Sequence, residues 1–153
     1  MTYMKNERGQ SLVELAISLV VLLYLLSGAA EFGILFFQYV QLRDAAQEGA
    51  LYGSLHPADP APIILRARES SDKPLDLSDA SAVKVFVSID GKDSVTDAAG
   101  YASVACEQHA LTVLARYDHR IFMPFMPKLI GRETIRLNAT VTDTILTPRD
   151  CPP

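Results

Sequence analysis

The chain has 153 residues, a net charge of −4, 21% charged residues and no tryptophan. That length holds one modest folded unit beside a membrane segment. An acidic chain with no basic cluster has no electrostatic footprint for nucleic acid, so that class of partner is excluded.

Apolar residues are concentrated near the N-terminus. Residues 15–30 carry no charge, and the wider apolar zone runs from Leu12 to Phe37 with only Glu14 and Glu31 interrupting it. A bilayer core takes about 20 mostly apolar helical residues, so the zone is long enough to span. Lys5 and Arg8 precede it, whereas Arg43 and Asp44 cancel after it. The basic bias predicts a cytoplasmic N-terminus and an extracytoplasmic body. Residues 1–9 then form a cytoplasmic leader and residues 10–37 a single transmembrane helix. The small run Ser27-Gly28-Ala29-Ala30 would suit a signal-peptide cleavage, but the sequence stays apolar and helical beyond it through Phe37, so an anchor is favoured over a removed signal.

The helix is expected to continue past the membrane as residues 38–55. Leu35, Leu42, Ala46 and Gly49 recur at near-helical spacing, with Gln38, Gln41, Arg43, Asp44, Gln47 and Glu48 on the polar side. Gly53 and Pro57 end it. A helix from Gln10 to about Tyr52 is roughly 64 Å long, about twice the bilayer core. Its outer half must pack its Ala/Gly-rich stripe on its own domain or on a neighbouring chain.

Residues 56–153 form the expected extracytoplasmic domain, opened by the proline-rich run 56–62. A short helix is expected over residues 63–70, with Pro62 near its first turn. Three period-two patterns follow, each reading as a half-buried strand. They are Val83, Val85, Val87 and Ile89; Leu111, Val113, Ala115 and Tyr117; and Ile135, Leu137, Ala139 and Val141. No helix-length pattern separates them, which favours antiparallel pairing. A sheet this small needs cover for its apolar face. The expected class is therefore α+β, a roughly three-stranded antiparallel sheet packed on the long N-terminal helix.

Enzymatic constellations are missing. His56, His109 and His119 have no metal-ligand spacing. Asp118 and His119 are adjacent on a strand and point to opposite faces, so they cannot act as an acid–base pair. No nucleophile elbow, phosphate loop or dinucleotide turn is present. The expected protein is not an enzyme and uses no cofactor or metal. Residues 122–126 read either as an interaction patch or as core filling. Cys106 and Cys151 are either one disulfide, in an oxidising compartment, or two unrelated thiols.

Glu14 poses the main question. A charged side chain costs about 2.5–3.5 kcal/mol at mid-membrane and less toward the ends. It either lies among the headgroups or has a partner. If the chain is cut after Gly9, Gln10 becomes a positive α-amino terminus, and Glu14 lies one helical turn away on the same face. Glu31 lies about 26 Å further along the helix, where it either marks the membrane exit or contacts a partner helix. The small residues Gly28 and Gly33 beside it would let such a helix approach closely.

The run Glu7-Arg8-Gly9-Gln10-Ser11-Leu12-Val13-Glu14, the Glu31-Phe32-Gly33 element and the run Ala45-Ala46-Gln47-Glu48-Gly49-Ala50 occur in that order. Over residues 7–53 the chain resembles the TadE-like pseudopilins of tight-adherence (Flp, type IVb) pilus assembly systems. It departs from them at Leu15, where an aromatic is common, and in having no proline in the span. The resemblance implies cleavage between Gly9 and Gln10 by a prepilin peptidase, with Glu14 neutralising the new terminus. It implies residence in the bacterial inner membrane and association with other pilins and the pilus assembly machinery. The alternative is an anchored extracytoplasmic binding domain on an uncleaved span, with no pilus role.

Overall fold

In the computed structural model, which describes residues 7–71 and 73–147, the N-terminal run forms one unbroken helix. This helix, α1 (Glu7–Leu55), has 49 residues and contains no proline. At ~1.5 Å per residue it is about 72 Å long. A turn follows, in which the His56 N–H donates to the Tyr52 carbonyl at 3.0 Å.

The second helix, α2 (Pro60–Glu69), starts before the expected residue 63. Asp59 caps it, its carboxylate accepting from the Ala61 N–H at 3.0 Å, and Pro60 supplies a first-turn residue whose missing N–H costs nothing there. The cap and the two prolines, rather than the apolar pattern, set the start.

The sheet contains β1 (Val83–Ile89), β2 (Lys92–Asp93), β3 (Ala110–Arg120) and β4 (Thr134–Thr144), in the order β2-β1-β3-β4, all antiparallel. The architecture is α+β with the sheet packed on the helix. The fourth strand is a two-residue edge added by a tight turn. Asp90 and Gly91 take φ of 49° and 78°, the left-handed pair that a two-residue hairpin of right-handed twist requires. The connection that follows is not all loop. It holds α3 (Ala98–Ser103), capped by the Asp97 carboxylate on the Gly100 N–H. The last helix, α4 (Met126–Ile130), lies between β3 and β4.

Register aligns the three period-two patterns. Val85 pairs with Ala115 and Ala115 with Ala139, while Val87 pairs with Val113 and Val113 with Val141. One continuous apolar face results. Helices α1 and α2 cover it, α1 lying along β3 and β4. The core holds Leu42, Ala45, Ala46 and Ala50 from α1, Ile63 from α2, and Val83, Val87, Leu111 and Val113 from the sheet.

Small residues let the helix approach. A Cβ on Gly53 would lie 2.9 Å from both methyls of Leu111, and one on Gly49 would lie 3.1 Å from the Ala67 Cβ. Buried Gln41 fastens the segment after α2. Its amide nitrogen donates to the Leu75 carbonyl at 2.9 Å and its oxygen accepts from the Leu75 N–H at 3.2 Å. Cys106 is buried and disulfide-bonded. Cys151, the other half of the expected pair, lies outside the described residues, as does Lys5 of the leader.

Candidate functional site

Helix α1 has two surfaces. The shielded one is a stripe at helical spacing through Tyr24, Ser27, Gly28, Glu31, Leu35, Gln38, Gln41 and Leu42, continuing to Gly53. Below Tyr24 every residue from Gly9 to Leu23 is exposed all round. Apolar side chains dominate this bare stretch, from Leu12 through Val21 to Leu23. It opens the helix Gly9–Leu55, which is long and apolar enough to cross a membrane.

Gly9, Gln10 and Glu14 lie at the start of the bare stretch. All are helical, so Gln10 and Glu14 are one turn apart with Cβ atoms about 5–6 Å from each other. Glu14 is exposed and makes no hydrogen bond or ion pair among the described residues.

Glu31 has its partners within the chain. It is 9% exposed, and its Oε1 lies 2.8 Å from the Nε2 of His119, which is fully buried. The Phe122 N–H donates to both carboxylate oxygens, at 3.1 and 3.2 Å. The Glu31 carboxylate is therefore engaged within its own chain. It clasps the far end of β3 to α1. The His119 Nδ1 is buried with no hydrogen-bond partner among the described residues. That fits the tautomer with the proton on Nε2, donating to the carboxylate.

Gly28 faces the same clasp, its Cβ position lying 3.4 Å from the Met123 methyl. Gly33 faces open space, with nothing within 4 Å of a Cβ placed there. Of the three residues proposed for helix contact, only Gly33 is uncovered by the chain's own domain. One step down, the Tyr24 hydroxyl donates to the Pro124 carbonyl at 3.2 Å.

The bond of His119 to Glu31 has no local sequence signal. The signal for its burial is the alternation of β3: one further step from Tyr117 reaches His119 on the same buried face. Asp118, on the other face, accepts from Arg136 Nε at 2.9 Å. No group of three His, Cys, Asp or Glu able to hold a metal occurs among the described residues.

Among known families, the model described as TadE-like protein matches residues 9–51. No curated protein and no solved structure matches the chain.

Proposed function

We propose that the chain, whose residues 9–51 match the model of TadE-like proteins, is a minor pilin or pseudopilin of a tight-adherence (Flp, type IVb) pilus, made by cleavage between Gly9 and Gln10. A prepilin peptidase acts from the cytoplasm on the leader, residues 1–9. The mature helix sits in the bacterial inner membrane with its domain outside. There it associates with other pilins and the assembly machinery through the bare surface of α1. Its work is structural, not catalytic.

The observation that carries this reading is Glu14, exposed and with no partner among the described residues, four residues after Gln10 at the head of the bare apolar stretch. Cleavage would place a positive α-amino group one turn from that carboxylate, within the chain or from the next subunit. Exposed Gly33 then offers a close-approach point for a neighbouring helix.

Intact mass of the protein from native membranes tests the reading. The expected chain begins at Gln10, and a Gly9→Leu chain stays at full length. A wild-type chain still beginning at Met1, in cells whose prepilin peptidase processes other pilins, would refute it and leave the anchored binding domain. A Glu14→Ala chain is expected to be cut and yet to be lost from pilus assembly.

A further inference from the structure

We propose that the β3–β4 connection, residues 121–131, is a second membrane-inserting element. It dips into the phospholipid leaflet that borders the domain, alongside α1. The proposal rests on the reading of α1 as a membrane span.

The first argument is length. Among the described residues of α1, 9–23 stand clear of the domain all round. That is about 22 Å of helix, some 8 Å short of a ~30 Å hydrocarbon core. The shielded stripe begins at Tyr24, where the Tyr24 hydroxyl meets the Pro124 carbonyl. If the core is to be filled, the part of the domain beside Tyr24 and Gly28 must lie in lipid.

That part is built for it. Residues 121–131 carry a single charge, Lys128. Ile121 and Met123 are buried toward α1. Phe125 and Leu129 are 74% and 80% exposed, with Ile130 half-exposed beside them, and Phe122 is 71% exposed although one edge of its ring meets His119. A loop of a water-facing domain that exposes four large apolar side chains within residues 122–130 leaves a patch without cover. Here the patch starts beside α1, where the Tyr24 hydroxyl meets the Pro124 carbonyl and Gly28 faces the Met123 methyl. Lys128, and Arg132 just beyond, are placed to reach phosphate groups while the apolar side chains sit below them.

The backbone supports the same reading. Phe125 has φ of 66°, the left-handed region that a bulky residue rarely adopts. Gly131 closes α4 in the same region at 71° without that cost. The strained turn holds the Phe125 ring outward. Further from the bare stretch, the Glu31–His119–Phe122 clasp ties the connection to α1.

The chain has no tryptophan, so a single introduced one reports its own surroundings. Full-length Leu19→Trp, Phe125→Trp, Leu129→Trp and Val95→Trp chains are placed in phosphatidylcholine/phosphatidylglycerol vesicles containing brominated phosphatidylcholine. Leu19 lies in the bare stretch, and Val95 is exposed in the β2–α3 connection. Expected is bromine quenching of L19W by deep labels and of F125W and L129W by labels near the headgroups, with V95W unquenched. Quenching of L19W with neither F125W nor L129W quenched overturns the proposal and leaves the span intact. A blue-shifted but unquenched emission from F125W and L129W would assign the patch to a second copy or another protein instead, and overturns it too. An unquenched L19W refutes the span itself, and the proposal falls with it. The two connection variants guard against one of them disturbing the strained turn.

Discussion

Glu31 is the residue on which the helix and the sheet depend together. It accepts from one side chain and one backbone group, both otherwise short of partners. A Glu31→Ala chain leaves the His119 Nε2–H and the Phe122 N–H without an acceptor, and a buried group left so costs about 1–3 kcal/mol. The expected loss is about 2 kcal/mol, measured by denaturation of the protein in detergent micelles. The double substitution Glu31→Ala/His119→Ala should cost less than the sum of the singles, because the second change removes a donor already orphaned. Strictly additive losses would show that the bond contributes nothing. The pairing spans 88 positions, and nothing local in the sequence announces it. Each partner reads alone as an ordinary charge at a helix exit and an ordinary histidine on a strand.

At the scale of elements, the buried stripe of α1 separates glycines by purpose. Gly53→Ala gains up to about 1 kcal/mol of helix propensity but drives a methyl into Leu111 and Ile63, and overpacking costs about 1–3 kcal/mol. Gly33→Ala meets nothing within its own chain and keeps the propensity gain. Thermal melts in micelles should show Gly53→Ala destabilised and Gly33→Ala unchanged or raised. If both behave alike, the close approach at Gly53 is unimportant. The elements themselves were largely legible. Three strands alternated over their full length, because one face of each is core and the other faces away from it. What escaped was set by side-chain caps and turns: the Asp59 cap that starts α2 early, the Asp97 cap of α3, and the Asp90-Gly91 turn that adds β2. The outward orientation of residues 122–130 was equally hidden, since an apolar run bounded by prolines has the same composition whether it fills a core or meets lipid.

For the whole molecule, the charged turns of the outer domain set its response to pH. The His109 ring bonded to the Asp90 carboxylate holds that group below its ordinary 3.8, with the Ala110 N–H adding to the effect. The N–H groups of Thr96 and Val95 do the same for Asp93. The Ser78 and Ser81 hydroxyls lower Asp76 and Asp79. A carboxyl depressed by folding stabilises fully above its unfolded value and loses that contribution as pH falls through the folded one. The domain should therefore weaken progressively below about pH 4. Tyr101 acts at the other end. Burial, with nearby Asp59, pushes its phenol from 10.0 to about 12, and its hydroxyl donates to the Pro57 carbonyl at 2.9 Å. A phenol raised by folding stabilises fully below its unfolded value, and that contribution drains away between pH 10.0 and about 12. A Tyr101→Phe chain should lose this alkaline limb while keeping the acid one. Melting temperatures across pH in micelles check both, and an alkaline limb that persists in Tyr101→Phe would assign it elsewhere.

The unbroken course of α1 fixes the azimuth of the domain. Each helical residue advances the chain by about 100° around the axis. The seventeen steps from Glu14 to Glu31 therefore leave the two carboxylates roughly a quarter turn apart. No proline between them can absorb a change, and the clasp at Glu31 prevents the sheet from swivelling about the helix. One inserted residue in the bare stretch would swing the entire domain about 100° relative to Glu14, whereas seven, close to two full turns, would bring it almost back. Any contact that held Glu14 would thereby determine which way the sheet faces, through angular phase alone.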